Sequence, residues 1–322
     1  MSPNNLTILY AGLDVAKATL QLDLRGVSSA LENTPKGHAR ILRLLAEAEQ
    51  AARPGTRLQV VLEATGGYEA ALVAALHAAD RLVSVIPPAR ARHFAQAGAE
   101  HAKSDPIDAA VLSAFGEAME PPPTPPASQA QRHLAALVGR RAQLVATRVS
   151  ELNRAEHYTE KLLRAQSRAL LALLDRQIAA CDKAIAAQIA AEEPMKTRAA
   201  RVQQVPGIGA VTAAILQAHL PELGTLSDGQ AAAIAGLAPY DRDSGARQGV
   251  RFIRGGRTTV RCALYMAAMS AIRHDAILRT FSQRLRAAGK LKMVALTAVM
   301  RKLVVLLNRL LKKPHFKLQG AQ

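Results

Sequence analysis

Tryptophan is absent from the 322-residue chain, and aromatic residues make up only 3% of it. A core must therefore rest on Leu, Val, Ile and Ala, a composition that leans towards helix. Cysteine is nearly missing as well. Cys181 and Cys262 lie far apart and in no metal-ligand spacing. That argues against a disulfide scaffold and a Cys-rich zinc site, and it suits a reducing cytoplasm. The nine histidines do not pair at ligand spacing either. The N-terminus has no basic start followed by a long apolar run, so no signal peptide is expected. No apolar run is long enough for a bilayer: LVVLLNRLL is short and broken by Asn308 and Arg309.

Acidic residues are the next shortage, and they are unevenly spread. Residues 1–130 hold 11 Lys and Arg against 13 Asp and Glu, a net of −2. Residues 131–322 hold 31 against 12, a net of +19. Residues 242–317 carry 18 basic residues against only Asp243 and Asp275. Such a surplus calls for a polyanion, with nucleic acid first and a membrane surface second, since no basic amphipathic helix stands apart from the fold. A basic protein with no nucleic-acid role is the bland alternative.

The first third alternates strand and helix signals. LTILYAGLDVA, ATLQLDLRG, RLQVVLEATGG and RLVSVIPP read as strands. Lys36 to Gln50 and Tyr68 to Ala79 read as helices, and a third is expected to open near Ser104 as N-cap, with Asp105 first and Pro106 behind it. The order strand, strand, helix, strand, helix, strand, helix suggests a mixed α/β sheet covered by helices. Domain 1 is set at residues 1–120. The proline-rich PPPTPPASQ, residues 121–129, reads as a linker. Residues 130–194 form a long helical region whose stripe runs Leu134, Val138, Arg141, Val145, Val149, Leu152, Glu156, Thr159. It reads as half of an antiparallel or intersubunit coiled coil, with a second helical run over Leu170 to Ala190. Residues 195–322 form a mainly helical third region.

Four carboxylates stand out. Asp14 and Glu63 each follow an apolar strand, while Asp105 and Asp108 open a helix. Residues i and i+3 share a helix face, so the last two can point at one spot. Phosphodiester chemistry needs charge neutralised at the attacking and leaving oxygens. Two Mg²⁺ ions about 3.5–4 Å apart do this through oxygen ligands. Singly, each acid is an ordinary strand-end or capping residue; the combination carries the metal reading. Ser244 lies in the loop DRDSGARQGVRFIRGGR. Ser-Gly in a loop is usually just a turn. Here Arg242, Arg247, Arg251, Arg254 and Arg257 surround it and offer phosphate contacts. VPGIG, residues 205–209, resembles a helix–hairpin–helix turn that grips a backbone phosphate, and reads equally well as a packing hairpin.

GLDVAK, EATGGY and KSDPIDA resemble, in order and spacing, the DEDD motif of the insertion-sequence transposases that use bridge RNA. VPGIG, AGLAP and the SG dipeptide extend the resemblance over nearly the whole chain. It implies an RNase H-like, RuvC-type N-terminal domain, long coiled-coil-like helices and a mainly helical transposase domain. It implies Mg²⁺, with Mn²⁺ as a substitute, held by Asp14, Glu63, Asp105 and Asp108. It also implies Ser244 as a nucleophile forming a phosphoserine link to DNA, and a structured non-coding guide RNA pairing with donor and target DNA. A homo-oligomer, dimer or dimer of dimers, would build a composite active site in a prokaryotic cytoplasm at the nucleoid. Two rivals remain: a RuvC-type structure-selective nuclease that uses activated water, and a non-enzymatic nucleic-acid scaffold.

Overall fold

The computed structural model describes residues 7–98, 105–241, 249, 251–313 and 315–316, with the backbone alone at Asp105. The chain divides into two compact units, Met1–Pro126 and Ala127–Gln322.

In the first unit, β1 (Thr7–Val15), β2 (Thr19–Leu24), β3 (Val27–Glu32), β4 (Thr56–Glu63) and β5 (Leu82–Ile86) form one sheet in the order β3-β2-β1-β4-β5. The strands β1, β2 and β3 are antiparallel neighbours, whereas β1, β4 and β5 run parallel. This mixed sheet is consistent with an RNase H-like domain. The helices are α1 (Pro35–Gln50), α2 (Ala70–Ala78), α3 (Pro88–Ala97) and α4 (Asp105–Met119). Two of these elements differ from the sequence reading. β3 is an edge strand whose residues are largely exposed, so it lacks an apolar alternation. α3 buries only Ala91, so it shows no helical stripe.

Alternation along the strands sorts side chains to the two sheet faces. Ala11, Leu13, Val15, Leu58, Val60 and Leu62 pack with Ile41 and Leu45 of α1 and Leu72 and Leu76 of α2. Val61 and Ile86 face the other way, against Leu112 and Phe115 of α4. α4 lies unusually close to β1. A Cβ on Gly12 would stand 1.9 Å from the Ala109 carbonyl oxygen and 2.4 Å from the Ser113 amide nitrogen. Glycine at this position is what lets the helix sit on the strand.

The proline-rich stretch is not free along its length. Thr124 donates its amide to the Val83 carbonyl at 2.7 Å, and its hydroxyl accepts from the Val85 amide at 3.0 Å. The Pro121 carbonyl accepts from the buried Gln59 side chain at 2.6 Å and the buried Ser84 hydroxyl at 3.1 Å. Residues 121–124 thereby cover the outer edge of β5, which would otherwise present unpaired backbone groups.

The second unit is helical: α5 (Gln129–Ala155), α6 (Lys161–Ala191), α7 (Glu193–Val202), α8 (Ala210–His219), α9 (Asp228–Ile234), α10 (Thr258–His274), α11 (Ala276–Ala287) and α12 (Lys292–Lys312), with a short ribbon of β6 (Pro239–Tyr240) and β7 (Phe252–Ile253). The stripe read as one helix through Thr159 stops at Ala155. α6 then turns back on α5. Arg141 pairs with Asp182 at 2.5 Å and Arg148 with Asp175 at 2.5 Å. Seven residues up one helix meet seven residues down the other, so the hairpin is antiparallel and within one chain. The rest of the core gathers Ala213 and Leu216 of α8, Leu264 and Ala268 of α10, and Val299, Leu303 and Leu307 of α12. Asn308, which interrupts the apolar run of α12, is 1% exposed. Its side chain accepts from the Gly224 amide at 2.8 Å and donates to the Leu226 carbonyl at 2.9 Å, so its burial is compensated.

Candidate active site

Asp14 and Glu63 stand at the carboxyl ends of adjacent parallel strands. Leu13 pairs with Leu62 in the β1–β4 ladder, and the two acids are one step beyond that pair. Leu13 and Leu62 face α1 and α2, so alternation turns Asp14 and Glu63 to the α4 face, as it does Gly12 and Val61. α4 runs against the direction of β1. Gly116 sits against Tyr10, and Ala109 and Ser113 sit against Gly12. Two more residues along β1 reach Asp14; one more turn back along α4 reaches Asp105 and Asp108. The backbone thus brings all four acids to one end of the sheet on one face. Crevices beyond the carboxyl ends of parallel strands are where α/β sheets hold ligands.

Asp14, Glu63 and Asp108 are half-buried there. Among the described residues, no three His, Cys, Asp or Glu side chains close into a metal-binding cluster, and the Asp105 side chain is outside the described set. The four candidate side chains offer oxygen donors only, a chemistry that suits a hard divalent cation better than zinc. Ser104, expected as the N-cap of α4, also lies outside the described residues; the helix does begin at Asp105.

The loop after Glu63 is organised by a residue the sequence reading passed over. One Glu69 carboxylate oxygen accepts from the Thr65 amide at 3.2 Å, the Thr65 hydroxyl at 3.1 Å and the Gly67 amide at 2.9 Å. The only sequence signal for it is an acid just past a Gly-Gly pair, which is common in plain turns.

Of the second constellation, Ser244, Arg242 and Arg247 lie outside the described residues. Their frame is described. The loop is spanned by the β6–β7 ribbon, where Pro239 pairs with Ile253 and Tyr240 with Phe252. Arg251 forms an ion pair with Asp241 across the loop's base. Arg257 is engaged elsewhere. Its guanidinium makes a two-pronged pair with Glu222, 2.7 Å on each side, and donates to the His219 carbonyl at 2.9 Å. Burial pushes the Glu222 carboxyl up, but the Arg257 hydrogen bonds, a backbone hydrogen bond and the charges of Arg257 and Arg198 together hold it below the ordinary value. This pairing ties the segment that follows the loop to Glu222 and to the end of α8. The 205–209 turn is likewise a packing device. Gly207 has φ +86°, and a Cβ on it would stand 2.2 Å from the Ala267 carbonyl of α10. Val205 and Ile208 on either side are buried.

Comparison with known families decides what these two constellations belong to. The DEDD_Tnp_IS110 family model, described as a transposase, matches residues 11–162, which take in all four acids. A second model, described as a transposase of the IS116/IS110/IS902 family, matches residues 199–283, which take in the 205–209 turn and the Ser244 loop. This chain belongs to the IS110 family of transposases. The IS110-family transposase is a DNA transposase/recombinase, and the matches favour that reading over a structure-selective nuclease.

The transposase is 29% identical over 266 residues to the pilin gene-inverting proteins of Moraxella lacunata and Moraxella bovis, covering 77% of this chain and 78% of each relative. It is 32% identical over 120 residues to an uncharacterised 43.6 kDa protein of insertion element IS110 from Streptomyces coelicolor, covering 35% of this chain and 28% of that relative. A DEDD-type transposase domain implies a divalent metal. Among the described residues, no helix is long and apolar enough to cross a membrane.

Proposed function

We propose that this transposase cuts and rejoins donor and target DNA through a phosphoserine intermediate at Ser244, with Mg²⁺ held by Asp14, Glu63, Asp105 and Asp108. The observation that carries the reading is the convergence of β1, β4 and the first turn of α4 on one end of the sheet. Three elements far apart in sequence deliver four carboxylates there, at a helix N-terminus that tolerates them. Bound Mg²⁺ supplies charge neutralisation at the phosphate.

In the proposed exchange the Ser244 hydroxyl loses its proton and attacks phosphorus. A bond from the serine oxygen to phosphorus forms, and the displaced sugar hydroxyl leaves with a proton. A hydroxyl from the other duplex then attacks the phosphoserine and releases Ser244. The number of phosphodiester bonds is unchanged, which suits inversion as well as transposition. Inversion is the activity named in the Moraxella relatives. Arg251 and Arg254, near the loop's root, are proposed to contact phosphates with Arg242 and Arg247.

The four acids belong to one unit and Ser244 to the other. A homo-oligomer in which the acidic unit of one subunit serves the serine of another is part of the proposal. So is guidance by a structured RNA from the same element, which suits the net +19 of residues 131–322 and the family resemblance. The protein would act in the cytoplasm, at the nucleoid. Ser244→Ala tests the reading. Covalent protein–DNA adducts, seen as slow-migrating species after denaturation, should vanish in that variant. Adducts that persist would reject Ser244. Metal-dependent nicking that survives without adducts would restore the nuclease reading with activated water.

A further inference from the structure

A single side-chain amide ties together the two chain segments that follow Asp14 and Glu63. Asn33 sits between β3 and α1. Its Nδ2 donates to the Ala16 carbonyl at 2.9 Å and to the Tyr68 carbonyl at 3.2 Å. Ala16 is two residues past Asp14, and Tyr68 is five past Glu63. The Asn33 amide nitrogen of the main chain also donates to the Ala18 carbonyl at 2.9 Å, which ties Asn33 to the β1–β2 turn a second time.

The amide can face only one way. Its NH₂ must meet two carbonyls, so its Oδ1 must meet a donor. His38 of α1 provides one: its Nε2 lies 2.8 Å from Asn33 Oδ1. That geometry requires the proton on Nε2. His38 is itself fixed. It is only 8% exposed, and its main-chain amide donates to the Thr34 carbonyl at 2.9 Å. Thr34 caps α1, its hydroxyl accepting from the Gly37 amide at 3.3 Å. The helix start therefore aims the imidazole, the imidazole orients the amide, and the amide spans the two loops.

We infer that Asn33, oriented by His38, is a positioning residue that holds the Asp14 and Glu63 strand ends in register for metal binding. Resting on the acidic-site reading above, the inference assigns Asn33 no contact with metal or DNA. Its importance is mechanical. The direct β1–β4 pairing ends at Leu13 and Leu62, while Asp14 stays paired with Gln21 of β2 and Glu63 with Ile86 of β5. Asn33 adds a direct tie between the two segments beyond the end of the β1–β4 pairing. Groups that hydrogen-bond metal ligands directly change metal affinity by about 10- to 100-fold when removed, and Asn33, which acts through the main chain beside the ligands, is placed at the lower end of that range.

The test uses the full-length protein and Mn²⁺ as probe, followed by electron paramagnetic resonance. Asn33→Ala and His38→Leu should raise the half-saturating Mn²⁺ concentration about tenfold or more. His38→Gln, whose amide can donate in place of Nε2, should restore most of the affinity. Hydrogen exchange should quicken at residues 16–18 and 65–68 in Asn33→Ala while the α1 core stays protected. Wild-type Mn²⁺ affinity together with unaltered exchange in Asn33→Ala would overturn the inference. His38→Gln behaving like His38→Leu would remove His38 from it. Asp14→Asn separates the two levels: if it binds Mn²⁺ as wild type does, the acidic-site reading fails. Quickened exchange in Asn33→Ala would then leave a loop clamp with no metal role, which also overturns the inference.

Discussion

Gly12 in β1 and Ala109 in α4 lie so close that a Cβ on the glycine would stand 1.9 Å from the Ala109 carbonyl oxygen. That approach sets the height of α4 above the sheet. It also fixes where the helix's first turn, with Asp105 and Asp108, meets the end of β1.

Gly12→Ala is therefore expected to force α4 away from the sheet. The neighbouring atoms are backbone and cannot swing aside, so the cost should reach the upper part of the range for overpacked cores, about 3 kcal/mol. Chemical denaturation should show a lower midpoint, and Mn²⁺ binding should weaken because the two aspartates move with the helix. A wild-type midpoint would contradict the contact.

Asp14→Asn, Glu63→Gln and Asp108→Asn should each lower strand exchange about a hundredfold or more while nucleic-acid affinity holds or rises. Removing metal with a chelator should have the same effect, reversed by Mg²⁺ or Mn²⁺. Gel assays for cleaved DNA and for retained binding, run side by side, check this. Undiminished exchange in any of the three variants would remove that acid from the site.

The Arg257–Glu222 pair should behave as one unit. Arg257→Ala and Glu222→Ala should fall short of additivity in a double-mutant cycle by about 0.5–1 kcal/mol, a modest figure because both side chains reach solvent. Arg257→Lys should not restore it, since a point charge cannot make the two-pronged contact. If Arg257 instead held a phosphate, its loss would flatten the salt dependence of DNA binding and leave stability unchanged.

Stability should rise with pH just below neutrality. Burial lowers the pKa of His38, and burial with the Arg257 charge lowers that of His219. Both folded values lie below the ordinary 6.5. Between the folded and unfolded values the unfolded chain binds more protons, so stability falls as pH drops through that window and is flat above it. Urea midpoints measured from about pH 5 to about pH 7.5 should show this slope, smaller in His219→Gln.

Much of the fold was legible locally. The apolar runs of β1, β4 and β5, the helix start at Asp105 and the periodic α1 all lie where pattern and capping rules put them. β3 and α3 were missed because an exposed edge strand and a helix that buries only Ala91 carry almost no apolar signal. Arg141, a charged residue within the apolar stripe of α5, is the partner of Asp182, 41 residues away. Asn308 looked like a break in an apolar helix; it is buried and fully engaged.

The sequence by itself determined that the basic charge lies downstream of a near-neutral α/β region, and that acids follow two apolar strands and open a helix. Those properties are additive or periodic along the chain, so they survive without knowledge of its path. Only the tertiary structure decided that the acids share a sheet face, that Arg257 is committed to Glu222, and that Asn33 reaches both Ala16 and Tyr68. Each depends on strand register or on hydrogen bonds between residues 17 to 35 positions apart. Such pairings follow from how the chain is folded back on itself, which no local pattern encodes.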